Sequence, residues 1–160
     1  GYRSEILPQL PYWLQAVSAS LEAGVALFVD YGYPRREFYL PERRDGTLVC
    51  HYRHRAHADP LHQPGLTDLT AFVDFTALAA ATQGVAIAGP VGQGAWLQAL
   101  GIDARLSALT SAAPDRAPDL AGQRDRLVAP QAMGELFKVM AATAPGWPRP
   151  EGFGASEAAT

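Results

Sequence analysis

The sequence predicts an α/β fold with three core strands and a long insertion after the first of them. Three observations carry this reading. A helix with one apolar face leads directly into the continuously apolar run Val25-Ala26-Leu27-Phe28-Val29, flanked by Gly24 and Gly32. Helix followed by a strand buried on both faces is half of a βαβ unit. The alternation then continues as insertion, helix, strand, helices and strand up to Thr143. Open α/β sheets commonly have about five strands or more, so a sheet with three is expected to be incomplete.

The elements follow from local pattern. Residues 1–9 read as an extended entry, because Pro8 and Pro11 delay the first helix. From Leu10 the apolar positions Leu10, Trp13, Leu14, Val17 and Leu21 lie on one helical face, and Gly24 stops the helix. Val25–Val29 is the first strand. Residues 33–67 hold four prolines, half of the Arg and all four His, and an insertion of about 33–73 is expected, with a short strand near Gly46–His51. Leu69–Val73 reads as another short strand. Asp74 suits a helix N-cap, with Val73 and Leu78 at staple positions, and this helix runs to about Gln83 before Gly84. Val85–Ala88 is the second core strand. Helices are expected at Gly92–Leu100, Ala104–Leu109 and Leu120–Leu127. Leu136–Thr143 is the third core strand, and Pro145 ends it. The domain is thus expected over 1–145, with a mobile tail at 146–160.

Composition narrows the function classes. At 160 residues the chain has one domain's worth of length. Thirteen basic against sixteen acidic residues give a net charge of −3, which argues against a nucleic-acid backbone binder. No apolar run approaches the ~18 residues of a membrane span, so no membrane insertion is expected. A single cysteine, Cys50, excludes an intramolecular disulfide and fits a reducing compartment. Residue 1 is Gly and no leader is visible, so the chain is expected to lack its true beginning.

Several residues offer chemistry. Asp30 and Tyr31 follow the best strand, and ligands of open α/β sheets bind beyond the carboxyl ends of strands. The alternative is a turn in which Asp30 caps and Gly32 supplies positive φ. His51, His54, His57 and His62 cluster beside Cys50 and invite a zinc reading. The interleaved Arg53 and Arg55 and the nearby Pro60 and Pro64 favour a polar loop at a pocket rim instead. Asp68 and Thr70 read either as turn formers or as pocket residues, and Glu5 is equally open. There is no dinucleotide-type glycine motif after a strand, no phosphate loop and no serine elbow. The segment Gly89–Gly94 reads as a turn.

Taken in order, Tyr2-Arg3-Ser4-Glu5-Ile6, Val29-Asp30-Tyr31-Gly32-Tyr33, Gly46-Thr47-Leu48, His54 and Pro64-Gly65 form a pattern with Asp68-Leu69-Thr70-Ala71-Phe72-Val73-Asp74-Phe75, Gln93-Gly94 and Met133–Val139. The pattern resembles the C-terminal half of MidA-like class I methyltransferases, a family that includes mitochondrial complex I assembly factors. The resemblance implies a Rossmann-like sheet in which Val25–Val29, Val85–Ala88 and Leu136–Thr143 correspond to the fifth, sixth and seventh strands. The seventh would lie antiparallel between the other two. It implies S-adenosylmethionine as cofactor, held mainly by a half that these residues do not include, so no cofactor-binding residue is expected here.

The implied reaction is methyl transfer to a protein substrate, with an arginine side chain of a complex I subunit as acceptor. Carboxylates suit a guanidinium acceptor because they bind its fork by paired hydrogen bonds. On the matched motifs, Glu5, Asp30 and Asp68 are therefore the expected catalytic carboxylates, with Tyr31, His54 and Thr70 lining the acceptor pocket and no metal ligands. Read as a fragment, the chain is expected to be inactive alone and to self-associate through an unpaired strand edge as a homo-oligomer. Its compartment would be the cytoplasm of a bacterium or the mitochondrial matrix of a eukaryote. Two other readings stand beside this one: a non-catalytic assembly module that binds a partner, and a His-cluster metal module.

Overall fold

The computed structural model describes residues 1–154. The extended entry leads into α1 (Leu10–Ser20), with Pro11 in its first turn, where the missing N–H costs nothing. β1 (Val25–Tyr33) follows. The insertion contains a helical turn, α2 (Arg35–Phe38), and the short strands β2 (Val49–Tyr52), β3 (Arg55–His57) and β4 (Asp68–Thr70). Then come β5 (Val73–Asp74), α3 (Phe75–Ala81), β6 (Ala86–Gly92), α4 (Gln93–Ala99), α5 (Ile102–Ala112), α6 (Ala117–Val128) and β7 (Phe137–Thr143).

The main sheet has the order β5-β1-β7-β6, and the insertion forms a separate sheet, β3-β2-β4. β7 lies antiparallel to both neighbours. It pairs with β1 from Val25–Thr143 to Tyr31–Phe137, and with β6 on its other side. β5 is parallel to β1 and touches it only at Gly32–Val73 and Tyr33–Asp74. The expected central position of the third core strand is thus observed, while the main sheet has four strands instead of three.

Four details differ from the local pattern. β1 does not stop at Val29. Its ladder with β7 runs to Tyr31, and β5 takes over at Gly32, so Asp30 lies within the strand. β1 is also not buried on both faces: Val25, Leu27 and Val29 remain 37%, 48% and 46% exposed. The reason is coverage. α1 and α3 pack over the Phe28 face, and α4 stands over β6 and β7. Leu69–Val73 is not one strand either. The main-chain N–H of Phe72 donates to Thr47 Oγ1 at 2.9 Å, and the chain switches there from the small sheet to the main one. Finally, Gly89–Gly92 continues β6 across a register shift between Ala88 and Val91 instead of forming a turn.

Two clusters make the core. Leu14, Phe75, Leu78 and Met140 pack on one side of the sheet, with Leu10, Phe28 and Val73 against them. Trp13 meets Phe28 edge-on at 6.1 Å. On the other side are Ala88, Val139, Ala141 and Phe153, with Trp96 beside them. The first part of the expected tail is therefore seated on the sheet, with Phe153 only 5% exposed. The remaining tail residues, 155–160, lie outside the described residues.

Asp74 caps α3. Its Oδ1 accepts the Ala77 N–H at 3.0 Å, and its Oδ2 accepts Arg35 Nε at 3.1 Å. Val73 and Leu78 meet in the first core cluster, as a hydrophobic staple requires. Removing the cap should cost ~1 kcal/mol. The ion pair adds little, because the Arg35 side chain is 57% exposed. Asp74→Ala is thus expected to lower the urea midpoint and Asp74→Ser to recover most of it. Equal midpoints for Asp74→Ala and the parent would refute the capping role.

Candidate functional site

A cavity of about 1120 Å³ runs along the edge of β1 that faces away from β7. Its walls are the entry segment Glu5–Leu10, Trp13 of α1, the strand residues Leu27–Asp30, and Ala71–Phe75 with Ala77 and Leu78. Most of this lining is apolar. Into it come three carboxylates, Glu5, Asp30 and Asp74, and one guanidinium, Arg35.

Hydrogen bonding separates these carboxylates by role. Glu5 is engaged in a latch. Its oxygens accept the Thr47 N–H at 3.0 Å, the Leu48 N–H at 2.9 Å and the Thr47 hydroxyl at 3.1 Å. Partial burial works to raise its pKa, but the N–H groups of Thr47 and Leu48 and the Thr47 hydroxyl outweigh it and hold the carboxyl below its ordinary 4.5. Gly46 makes the latch possible. It sits at φ +86°, where side chains are strained, and a Cβ there would overlap Glu5 Oε1. Thr47 in turn holds Phe72, so one hydrogen-bonded chain joins the entry segment, the insertion and the β4–β5 switch.

Asp30 is less committed. It is exposed, and its one side-chain bond among the described residues is to the N–H of Tyr31 at 2.8 Å. Asp74 already holds a guanidinium, that of Arg35, while capping α3. The cavity thus shows carboxylate–guanidinium pairing in place.

The other expected site residues lie elsewhere. Tyr31 projects to the opposite face from Asp30, as adjacent strand residues must. Its ring lies 4.1 Å from Phe137 and 6.3 Å from Phe72. Asp68 and Thr70 stand on β4, paired with His51 and Val49 of the small sheet. His54 is exposed at the β2–β3 turn with φ +63°. None of these four lines the cavity. The His/Cys window is spread over both faces of the small sheet. Cys50 is fully buried and pairs with His57, while His51 points the other way beside Asp68. Among the described residues, no three His, Cys, Asp or Glu are grouped to hold a metal ion.

Arg35 and Thr47 were not singled out as site residues by the sequence. Thr47 carried one signal, its place in the matched Gly46-Thr47-Leu48 motif. Arg35 carried none, since it follows Pro34 in a stretch rich in arginine.

An α/β sheet with an antiparallel strand inserted beside its outermost strand, and a cavity at the adjoining strand edge, defines a class I methyltransferase type of architecture. Comparison with known proteins agrees. Residues 1–91 match the family described as "Putative S-adenosyl-L-methionine-dependent methyltransferase", and the chain belongs to that family. It is 39% identical over 142 residues to the mouse protein arginine methyltransferase NDUFAF7, mitochondrial, covering 86% of this chain and 31% of that protein. The human protein of the same name is 36% identical over 146 residues, with 86% and 30% covered. The chain thus spans about a third of the length of these relatives. A solved Burkholderia thailandensis protein superposes with a TM-score of 0.89 at 36% identity, over 97% of this chain and 42% of its own. A second structure from the same organism, bound to S-adenosyl-homocysteine, gives 0.88 at 36% identity, over 97% and 41%. No helix among the described residues is long and apolar enough to cross a membrane.

Proposed function

We propose that this chain forms the acceptor side of an S-adenosylmethionine-dependent methyltransferase acting on arginine side chains of a protein. The observation that carries the reading is the apolar cavity beside β1 with Asp30 free at its wall and Asp74 already holding a guanidinium. Relatives named as protein arginine methyltransferases support the acceptor class. The relative bound to S-adenosyl-homocysteine supports the cofactor.

S-adenosylmethionine supplies an electrophilic methyl group on a sulfonium. The residues here fit its reacting end in two respects: apolar walls exclude water, and carboxylates favour a positive charge. An acceptor guanidinium enters with one edge on the Asp30 carboxylate. That contact orients the attacking nitrogen and holds positive charge on the side of the fork that Asp30 binds, away from the attacking nitrogen. The proton released after transfer passes to a carboxylate or to solvent at the open side. Glu5 acts by keeping the entry segment in place. Asp68, Thr70 and His54, on the outer sheet, meet the peptide that carries the arginine, and Tyr31 supports the strand from behind. The relatives named as mitochondrial support a mitochondrial setting for a eukaryotic enzyme of this kind.

Asp30→Asn in the complete methyltransferase keeps the shape and removes the charge. A charge-assisted hydrogen bond is worth ~1.5–3 kcal/mol, so turnover should fall about 10–100-fold while cofactor affinity stays the same. Asp68→Asn should mainly raise the KM for a peptide acceptor. Unchanged turnover in Asp30→Asn would remove it from the site. Absence of any cofactor binding by the complete protein, measured by calorimetry, would favour a non-catalytic assembly role.

A further inference from the structure

The hairpin β2–β3 has an uncommon tip. Tyr52 pairs with Arg55, so the loop between the strands is the two residues Arg53 and His54. Both have positive φ, +48° and +63°. A two-residue hairpin loop with positive φ at both places is ordinarily Asn-Gly or a similar pair, because other side chains are strained there. Arginine is a poor occupant on backbone grounds alone. Strained backbone of this kind concentrates at ligand clamps and other binding sites.

The charges at the tip have no answer in the chain. Residues 49–58 contain two arginines, three histidines and no acid. The Arg53 guanidinium lies 5.4 Å from the centre of the Tyr52 ring, and Arg55 shares a sheet face with Tyr52, its cross-strand partner. Among the described residues neither guanidinium has a carboxylate partner, whereas Arg35, Arg36, Arg44, Arg116 and Arg124 each have one. The nearest acid in sequence, Asp59, accepts the Leu61 N–H at 2.9 Å. Asp68, on the neighbouring strand β4, stands opposite His51 and so on the other face from Tyr52.

We infer that this tip is a docking point for an acidic segment of a protein, with the forks of Arg53 and Arg55 on its carboxylates. Two guanidiniums without internal partners match carboxylates, which they bind by paired hydrogen bonds. A nucleic acid is a poorer match, because a phosphate backbone requires a broad basic face and this chain carries a net charge of −3. The small sheet is separate from the main one, and no residue of β2, β3 or β4 lines the cavity. The tip therefore meets a different part of the partner from the one that enters the cavity. It steers which proteins are captured and takes no part in the transfer step. The inference rests on the proposed function in taking the acceptor protein as the carrier of the acidic segment. Docking is measured without methyl transfer, so the two fail separately.

The probe is a fluorescein-labelled oligoglutamate peptide, titrated with the complete protein and followed by fluorescence anisotropy. It should bind at low salt and weaken steadily as salt is raised. Arg53→Glu combined with Arg55→Glu should weaken it about 10-fold or more. Arg105→Glu combined with Arg126→Glu, at exposed arginines of α5 and α6, should leave it unchanged. A further variant, Arg53→Asn with His54→Gly, relaxes the turn and removes one fork. It should melt about 2–4 °C higher than the parent and yet bind the peptide about 3-fold or more weakly. Failure of the peptide to bind, equal weakening by the α5–α6 pair, or a lower melting temperature for the relaxed turn would each overturn the inference. So would tighter binding of a single-stranded oligonucleotide of the same length at equal salt, since the partner would then be a nucleic acid. Docking by a protein that transfers no methyl group would leave the tip standing and sink the proposed function.

Discussion

Gly32→Val is expected to destabilise the domain by about 3 kcal/mol or more, a large fraction of the ~5–15 kcal/mol that holds an ordinary domain folded. Gly32 is buried where β5 begins to pair with β1. A Cβ at this position would overlap the carbonyl oxygen of Val73 and lie 2.9 Å from Cε2 of Phe75. The first contact is with backbone, which cannot turn aside as a side chain can. The second is with a fully buried ring of the main core cluster. Relief would require β5 to leave the sheet, and α3 is joined directly to β5, with Asp74 as its cap. The effect should therefore appear as a lower urea midpoint together with loss of the exchange protection of α3. Gly32→Ala should show the same pattern at smaller size. A valine variant as stable as the parent would mean that the close approach of Val73 to β1 does not exist in solution.

The second large effect is expected at Glu5. Glu5→Ala removes the acceptor for two main-chain N–H groups and a hydroxyl, at a cost of roughly 2–3 kcal/mol for bonds to a charged group. Glu5→Gln keeps one acceptor oxygen and should fall between. The effect has a pH signature. Hydrogen bonding holds the folded-state pKa of Glu5 below its ordinary 4.5, so the folded state favours the charged form. The stabilisation is then fully present above about 4.5 and is lost as the pH falls through the lowered folded value. The stability gap between parent and Glu5→Ala should be constant from neutral pH down to about 5 and should close in more acidic solution. A gap independent of pH between 3 and 7 would refute the charged latch. Gly46→Ala should reproduce the loss from the other side, because its Cβ would occupy the place of the carboxylate at a φ of +86° that disfavours alanine.

These two sites show what could and could not be read from the chain. The helix from Leu10, the strand from Val25, the Asp74 cap and the late strand ending at Thr143 are all local: each is written within about a dozen residues by periodicity, turn chemistry or capping. The allocation of the carboxylates is not local. Glu5 and Thr47 are 42 residues apart, and nothing in the sequence around Glu5 announces that its oxygens are already taken. The same holds for Arg35 and Asp74, 39 residues apart. By sequence position Asp30 and Tyr31 form a pair at a strand end. The longer ladder with β7 makes them neighbours on opposite faces, so only Asp30 lines the cavity.

By itself, then, the sequence determined the α/β class, the order of helices and strands, and the family resemblance, because apolar spacing and short motifs are properties of contiguous residues. The tertiary structure alone decided that the sheet runs β5-β1-β7-β6 and which carboxylate faces the cavity uncommitted. Those outcomes depend on which distant segments compete for the same hydrogen bonds and the same space, and the competition is resolved only when the chain is folded.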